Sequence, residues 1–487
     1  MLALLALVLA NGAFVTVEKD AGGVWWFKHG DASFLSRGVN HVNNGGQDDG
    51  VGGRESAQCK AATGHDLCGD SLSFGRNLTY SPYFNSTMDR YGGSEAAWAN
   101  NTAERLAQWG FNTVGGWSCT LAERAGAARG LYYAHLLDMG TTWLNHAGLD
   151  HDPWTEAFAA QCEAVARVEV AARASDELLL GYQIDNELNW TSLGLPVYLA
   201  KGASPGQQQA EGFLASEFNG SIAALNVAWN IEASGFDDVV AHLNDAGLNK
   251  TAFGDANAGW YGLIAAQYYR VTVGAIKKYD AHHLILGMRG MNVGFWRLSR
   301  THTPSGGQGI LDYPAVLRAM APYVDVFDWH SYEDDPQTAM LAQVHALTGR
   351  PVLLGEFSFI AWDSNVANTH GARSCGWHGH TLPRPNGTDV GPGEYNGTCA
   401  YVSATQGGRA AGFSRFVAAL AAAPFVVGYH WWQWADEPTG GRWPDGECSN
   451  YGVVHLDDDA YGVLTGAMKE ANARVEASHA ASAQAPK

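Results

Sequence analysis

Two short apolar stretches that end in acid constrain this chain more than any other feature. Leu178-Leu179-Leu180 continues through Gly181-Tyr182-Gln183-Ile184-Asp185 to Asn186-Glu187, and Pro351-Val352-Leu353-Leu354-Gly355 ends in Glu356. An apolar run of this length reads as a strand buried on both faces, the condition of a parallel sheet covered by helices. Polar groups on its last residues then stand at the C-terminal edge of the sheet, where barrels keep their chemistry. One strand-end Glu is commonly a structural hydrogen-bond or ion-pair partner. Two of them, about 170 residues apart across alternating helix and strand patterns, form the pair that glycosidic cleavage needs. One carboxyl protonates the leaving oxygen and the other attacks the anomeric carbon.

The rest of the chain falls into a frame around that pair. Residues 14–18, 24–28 and 33–35 alternate like short strands around Gly/Asp turns and predict a small β flap over 14–35, on the N-terminal face of a barrel. Strands are expected at 37–42, 111–117, 131–139, 178–187, 284–289, 326–332, 352–356 and 426–434. Helical periodicity lies between them: a helix capped by Ser94 with Trp98, Leu106 and Trp109, one opened by Asp152-Pro153 and running to 172, two at 212–229 and 257–279, then 313–323, 336–347 and 409–422, and a last one from about Tyr461. Eight such units predict a single α/β domain, a (β/α)8 TIM barrel with long βα loops over 36–478, followed by a disordered tail at 479–487.

Composition narrows the partner. A formal net charge of −19 argues against nucleic acid or an anionic membrane surface. Eighteen tryptophans in 487 residues supply flat rings of the kind that stack on sugars, and they could equally fill a large core. Residues 2–10 form a short apolar run, too short to span a bilayer and long enough for a signal-peptide core, so 1–13 reads as a secretory signal although it lacks a basic start. Sequons at Asn77, Asn85, Asn100, Asn219, Asn249, Asn386 and Asn396 agree with export, whereas Asn189, two residues after Glu187, is expected to stay unmodified. Seven cysteines allow up to three disulfides. Cys59 with Cys68, Cys375 with Cys399 and Cys119 with Cys448 are the expected pairs, with Cys162 free on an apolar helix face.

The motifs resemble a known family. Asn186-Glu187 and Glu356 at two strand ends resemble the acid/base and nucleophile of the retaining glycoside hydrolases of clan A. Within that clan the chain is similar to glycoside hydrolase family 50, the β-agarases. The likeness rests on Trp109-Gly110-Phe111-Asn112-Thr113-Val114, Gly181 to Glu187, Tyr323-Val324-Asp325-Val326-Phe327, Gly355-Glu356-Phe357, His430-Trp431-Trp432-Gln433 and Asp445-Gly446-Glu447. The insertion around 220–229 is also similar to that of family 42 β-galactosidases. The family's larger agarases carry an N-terminal carbohydrate-binding domain, for which the segment ahead of Arg37 leaves no room. The resemblance implies Glu187 as general acid/base, Glu356 as nucleophile and Asn186 as donor to the sugar 2-hydroxyl. It implies a secreted, retaining hydrolase of β-linked galactan with no cofactor. Another clan A activity (β-galactosidase, β-glucanase or β-mannanase) and a non-catalytic glycan-binding barrel are the alternatives.

The residues support the same roles without the resemblance. Donors such as His330 or Tyr332 beside a buried Glu356 would hold it ionised, while a second carboxylate nearby would keep the proton on Glu187. His41, Trp117, Arg289, Trp432 and Trp434 stand at other strand ends, where each could bind sugar or pack, because alternate strand residues face opposite ways. Glu447, with Asp445, follows the eighth strand and could orient substrate or cap backbone. No metal site is expected. The Cys375 to His380 cluster reads more simply as a disulfide-bounded loop than as a zinc site, and Asp457-Asp458-Asp459 as a turn before the last helix.

Overall fold

The computed structural model describes residues 13–44, 82–141, 149–291, 309–361, 363, 401–403, 405–437 and 449–484. The expected signal segment, the Cys375 to His380 cluster and Glu447 lie outside them.

The chain begins with an antiparallel sheet of β1 (Thr16–Lys19), β2 (Trp25–His29) and β3 (Ala32–Phe34). Asp20 makes the first reversal by accepting the N–H groups of Gly22 and Val24 (2.8 and 3.0 Å), with Gly23 at φ +85. The sheet buries Val15, Phe27 and Phe34 against Ala134, Leu180, Leu284, Leu286, Val326, Leu353 and Val427. Those partners stand at or near the starts of barrel strands, so the flap plugs the N-terminal end of the barrel, as its sequence position suggested.

Eight parallel strands follow: β4 (Ser36–Val39), β5 (Thr113–Val114), β6 (Tyr132–Leu136), β7 (Leu179–Asn186), β8 (Leu284–Arg289), β9 (Phe327–His330), β10 (Val352–Phe357) and, beyond a two-stranded outlier of β11 (Phe359–Ala361) and β12 (Tyr401–Ser403), β13 (Val426–Trp431). They are ordered β8-β7-β6-β5-β4-β13-β10-β9. The ends of that order meet, because Asp325 and Val326 donate their N–H groups to the carbonyl of Ile285 at 2.8 and 3.4 Å. The sheet is therefore a closed (β/α)8 barrel. Within β9, Phe327 and Trp329 pack into the apolar layer shared with the helices. Asp328 and His330 point the other way, into the barrel, as the two-residue period of a strand requires.

Most element boundaries move by a few residues, and the larger shifts have local causes. The helix expected from Asp152 is capped by Thr155 and spans Glu156–Val165, ending in a π-turn at Ala166–Val170. Asp152 instead accepts the N–H groups of Trp154 and Gly206. The expected helix over 212–229 is two helices, Pro205–Glu217 and Ile222–Trp229, because Asn219 and Gly220 turn left-handed (φ +51 and +73) and Ser221 caps a new start. The helix expected from Asn257 begins a full two turns earlier, as Lys250–Tyr279, with Asn249 as N-cap. Where a disordered tail is expected from 479, the described residues continue in helical turns through Gln484. Helix Val475–Ala480 seats a fully buried His479, whose ring nitrogens reach the carbonyls of Ala421 and Trp25. Cys162 is buried and free, and Cys119 is disulfide-bonded. No described helix is long and apolar enough to cross a membrane.

Since Phe27 is fully buried in the plug and far from the strand ends, Phe27→Ala should lower unfolding free energy by about 3–5 kcal/mol. Chemical denaturation measures the loss, and KM on any substrate found should stay at the wild-type value.

Candidate active site

Glu187 and Glu356 meet at the C-terminal mouth because of what stands between their strands. Around the barrel, β7 and β10 are separated by β8 and β9, and each of those ends in a cation or potential cation: Arg289 and His330. Arg289 Nη1 lies 2.7 Å from Glu356 Oε1 and donates to Asn186 Oδ1 at 2.6 Å. Tyr332 donates its hydroxyl to Glu356 Oε2 at 2.5 Å. His330 Nδ1 is 2.7 Å from Glu187 Oε1 and 3.4 Å from Glu356 Oε2. The two carboxylates and this imidazole each place one atom within 4.8 Å of the others.

The two acids have different surroundings. The Glu356 side chain is 6% exposed and that of Glu187 is 32% exposed. Glu356 sits at the bottom of the mouth, in contact with Arg289, Tyr332 and His330. Glu187 stands at the rim, on backbone with φ +44. Such left-handed turns recur at the ends of neighbouring strands, at His41 (φ +54), Trp117 (φ +61), Asp138 (φ +46) and Gly290 (φ +60). A non-glycine residue in that region carries roughly 1–3 kcal/mol of strain and persists only where its surroundings over-determine it, which is a common property of functional sites.

Burial works against charge on His330, but Glu356 beside it, followed by hydrogen bonds to Asp328 and Glu187, outweighs burial and raises its pKa to about 9. Burial likewise opposes the charge of Arg289, and Glu356 and Asp328 overcome it. A ring that keeps its protons through neutral pH is a donor, so His330 completes a charge cluster with the two carboxylates. Elsewhere in the barrel the opposite holds. Burial lowers the pKa of His430 to about 3, leaving it a neutral partner of the Ser36 hydroxyl at 2.8 Å.

Two glycines make room for the cluster. A Cβ on Gly355 would lie 2.1 Å from Asp328 Oδ1, and one on Gly290 would lie 2.4 Å from His330 Nδ1. Asp328 itself, 1% exposed, accepts Gln183 Nε2 at 2.8 Å and the Gly290 N–H at 3.2 Å, and faces His330 Nε2 at 3.4 Å. The sequence reading passed over Asp328, Gln183, Gly290 and the need for glycine at 355. One signal for Asp328 was available: an acid two residues before a strand-end histidine shares its face.

The structure brings Glu187, Glu356, Asn186, Arg289, His330 and Tyr332 together. His41 and Trp432 pair with each other, rings 5.4 Å apart, at the ends of the adjacent strands β4 and β13. Trp117 stands after β5 and is 5% exposed. Trp434 does not belong to the site. It is fully buried, its indole N–H donates to Tyr83 at 2.6 Å, and its ring lies against Trp109 and under Arg105. With its only donor used and both faces covered, it is core.

No family model matches the chain. It is 27% identical over 508 residues to β-agarase A of Vibrio sp. (strain JT0107), an alignment covering 96% of this chain and 46% of that protein. To β-agarase B of the same strain it is 24% identical over 413 residues, covering 81% and 38%. The chain thus spans less than half the length of these curated relatives. Among solved structures it is similar to an agarase (TM-score 0.69, 20% identity, covering 96% of this chain and 66% of that one) and to an exo-β-agarase (TM-score 0.69, 20% identity, 96% and 65%). The structural likeness shows a shared fold, and the sequence likeness places the chain near the β-agarases, as its motifs suggested.

The clearance at Gly355 yields a sharp test. Gly355→Ala should displace the Asp328 carboxylate and with it His330 and Glu356, lowering kcat on the order of 10²-fold or more while circular dichroism stays native.

Proposed function

We propose that this chain is a secreted, retaining glycoside hydrolase that cleaves β-linked galactan of the agarose type by double displacement. The observation that carries the reading is the approach of the Glu187 and Glu356 oxygens to within 4.8 Å across the barrel mouth. Retaining enzymes hold their two carboxyl groups about 5–5.5 Å apart, and inverting enzymes need about 6.5–9.5 Å to admit a water. The substrate class comes from the similarity to the two Vibrio β-agarases.

Each residue then has a task. Glu356, ionised against Arg289 and Tyr332, attacks the anomeric carbon. Glu187, closer to solvent, gives its proton to the departing oxygen and later takes one from the attacking water. Arg289 only donates, so it fixes Asn186 with the amide oxygen inward and leaves the NH₂ group to bind the sugar 2-hydroxyl. Trp432, backed by His41, offers a ring on which a sugar face can stack. Export is supported by the apolar run at 2–10 and by sequons at Asn85, Asn100, Asn219 and Asn249, all exposed.

A panel of agarose, porphyran, β-galactosides, laminarin and mannan should give hydrolysis of the galactans, with a retained anomer first in proton NMR. Binding without cleavage across the panel would favour a lectin, and an inverted product would remove Glu356 as nucleophile. Glu356→Ala should lose several powers of ten on every substrate. Glu187→Ala should still release a dinitrophenolate, then stall, and be rescued by azide with retained configuration. The reverse assignment of azide products would refute the roles.

A further inference from the structure

The two glutamates share one donor. His330 Nδ1 lies 2.7 Å from Glu187 Oε1 and 3.4 Å from Glu356 Oε2, so an N–H there can serve whichever of the two is the carboxylate. The charge of the ring is then decided at Nε2. That atom faces Asp328 Oδ1 at 3.4 Å, inside the barrel and away from solvent. The hydrogen bonds to Asp328 from Gln183 and Gly290 come from neutral amides, so they do not balance its charge. A fully buried carboxyl that keeps its charge needs a cation, and His330 faces this one, with Arg289 acting from further off.

We propose that Asp328 is a positioning residue: by holding a proton on His330 Nε2 it keeps the ring cationic, so that the Nδ1–H serves Glu356 and Glu187 in turn through the reaction. The inference rests on the double-displacement reading above. In the resting enzyme the anions are Glu356 and Asp328, the cations are Arg289 and His330, and Glu187 carries a proton. When Glu356 attacks, the carbon–oxygen bond to the leaving group breaks and that oxygen takes the Glu187 proton. Glu356 becomes a neutral ester and Glu187 an anion. Two anions again face two cations, with the negative charge moved from one neighbour of His330 Nδ1 to the other. Deglycosylation reverses the change: water gives a proton to Glu187, its oxygen bonds the anomeric carbon, and Glu356 leaves as carboxylate. A neutral imidazole would lose this balance in both states. The groups facing His330 are Glu187 from β7, Arg289 from β8, Asp328 from its own strand, Tyr332 just beyond it and Glu356 from β10. Among them Glu356, then the hydrogen bonds to Asp328 and Glu187, outweigh burial and raise the pKa of the ring to about 9.

The test uses the full chain labelled with ¹⁵N-histidine. Long-range ¹H–¹⁵N NMR reads both ring nitrogens, with His330 assigned from the signal lost in His330→Asn. In the wild type at pH 7.5 both should be protonated, and the ring should neutralise only near pH 9. Asp328→Asn should give a neutral ring at pH 7.5, and Asp328→Glu should restore the cation. With that cation gone from beside the two glutamates, the acid limb of kcat/KM should move upward by on the order of one pH unit. A residue that merely filled space would lower kcat/KM at all pH values without moving the limb. A neutral His330 in the wild type at pH 7.5 overturns the proposal, as does an Asp328→Asn protein with ring and limb unchanged. The wild-type titration decides even if Asp328→Asn does not fold. Because the spectrum is read without substrate, inactivity on every glycan would refute the functional reading and leave the proton assignment to stand or fall on its own.

Discussion

A carboxylate delivered to the end of a buried strand has to be met by charge, and the organisation of this site follows from that requirement at Glu356. Its side chain is almost entirely buried, and leaving it unpaired there would cost several kcal/mol. Arg289 from the next strand but one and His330 from the adjacent strand answer it. Each of those is itself buried and needs a further anion. Asp328 supplies one behind His330, and Gly355 and Gly290 exist as glycines so that this second layer can come close. The barrel contributes the geometry, since four consecutive strands, β7 to β10, present their last residues to one point.

The fold was legible because its signals are periodic and local. Apolar runs bounded by turns located all eight barrel strands, and the flap could be placed at the barrel's N-terminal end from its position alone. The misses have physical causes of other kinds. The break at Asn219 and Gly220 depends on left-handed backbone that a helical window averages over. The seating of helix Val475–Ala480 depends on one buried histidine bonding to carbonyls more than fifty residues away in sequence. Composition, which is rich in Ala and Ser there, carries no trace of such a contact.

The site was half legible. Glu187, Glu356, Asn186, Arg289, His330 and Tyr332 stand at or just beyond strand ends, and strand ends can be read from a sequence. Trp434 illustrates the limit. It lies three residues past the end of β13, and only the packing of Trp109, Arg105 and Tyr83 around it shows that it faces the helices. Asp328 illustrates the complementary limit. A buried acid in mid-strand is invisible to a search for polar strand tips, although a single imidazole separates it from Glu187 and Glu356.

The central claim is that Glu356 bonds covalently to the sugar while Glu187 does not. A 2-deoxy-2-fluoro galactoside with a good leaving group slows the second step and leaves the intermediate on the enzyme, where proteolysis and mass spectrometry locate it. The account predicts one sugar per chain, on the peptide containing Glu356. A label on Glu187 or elsewhere in the chain, or rapid turnover of that glycoside to an inverted product, would contradict it.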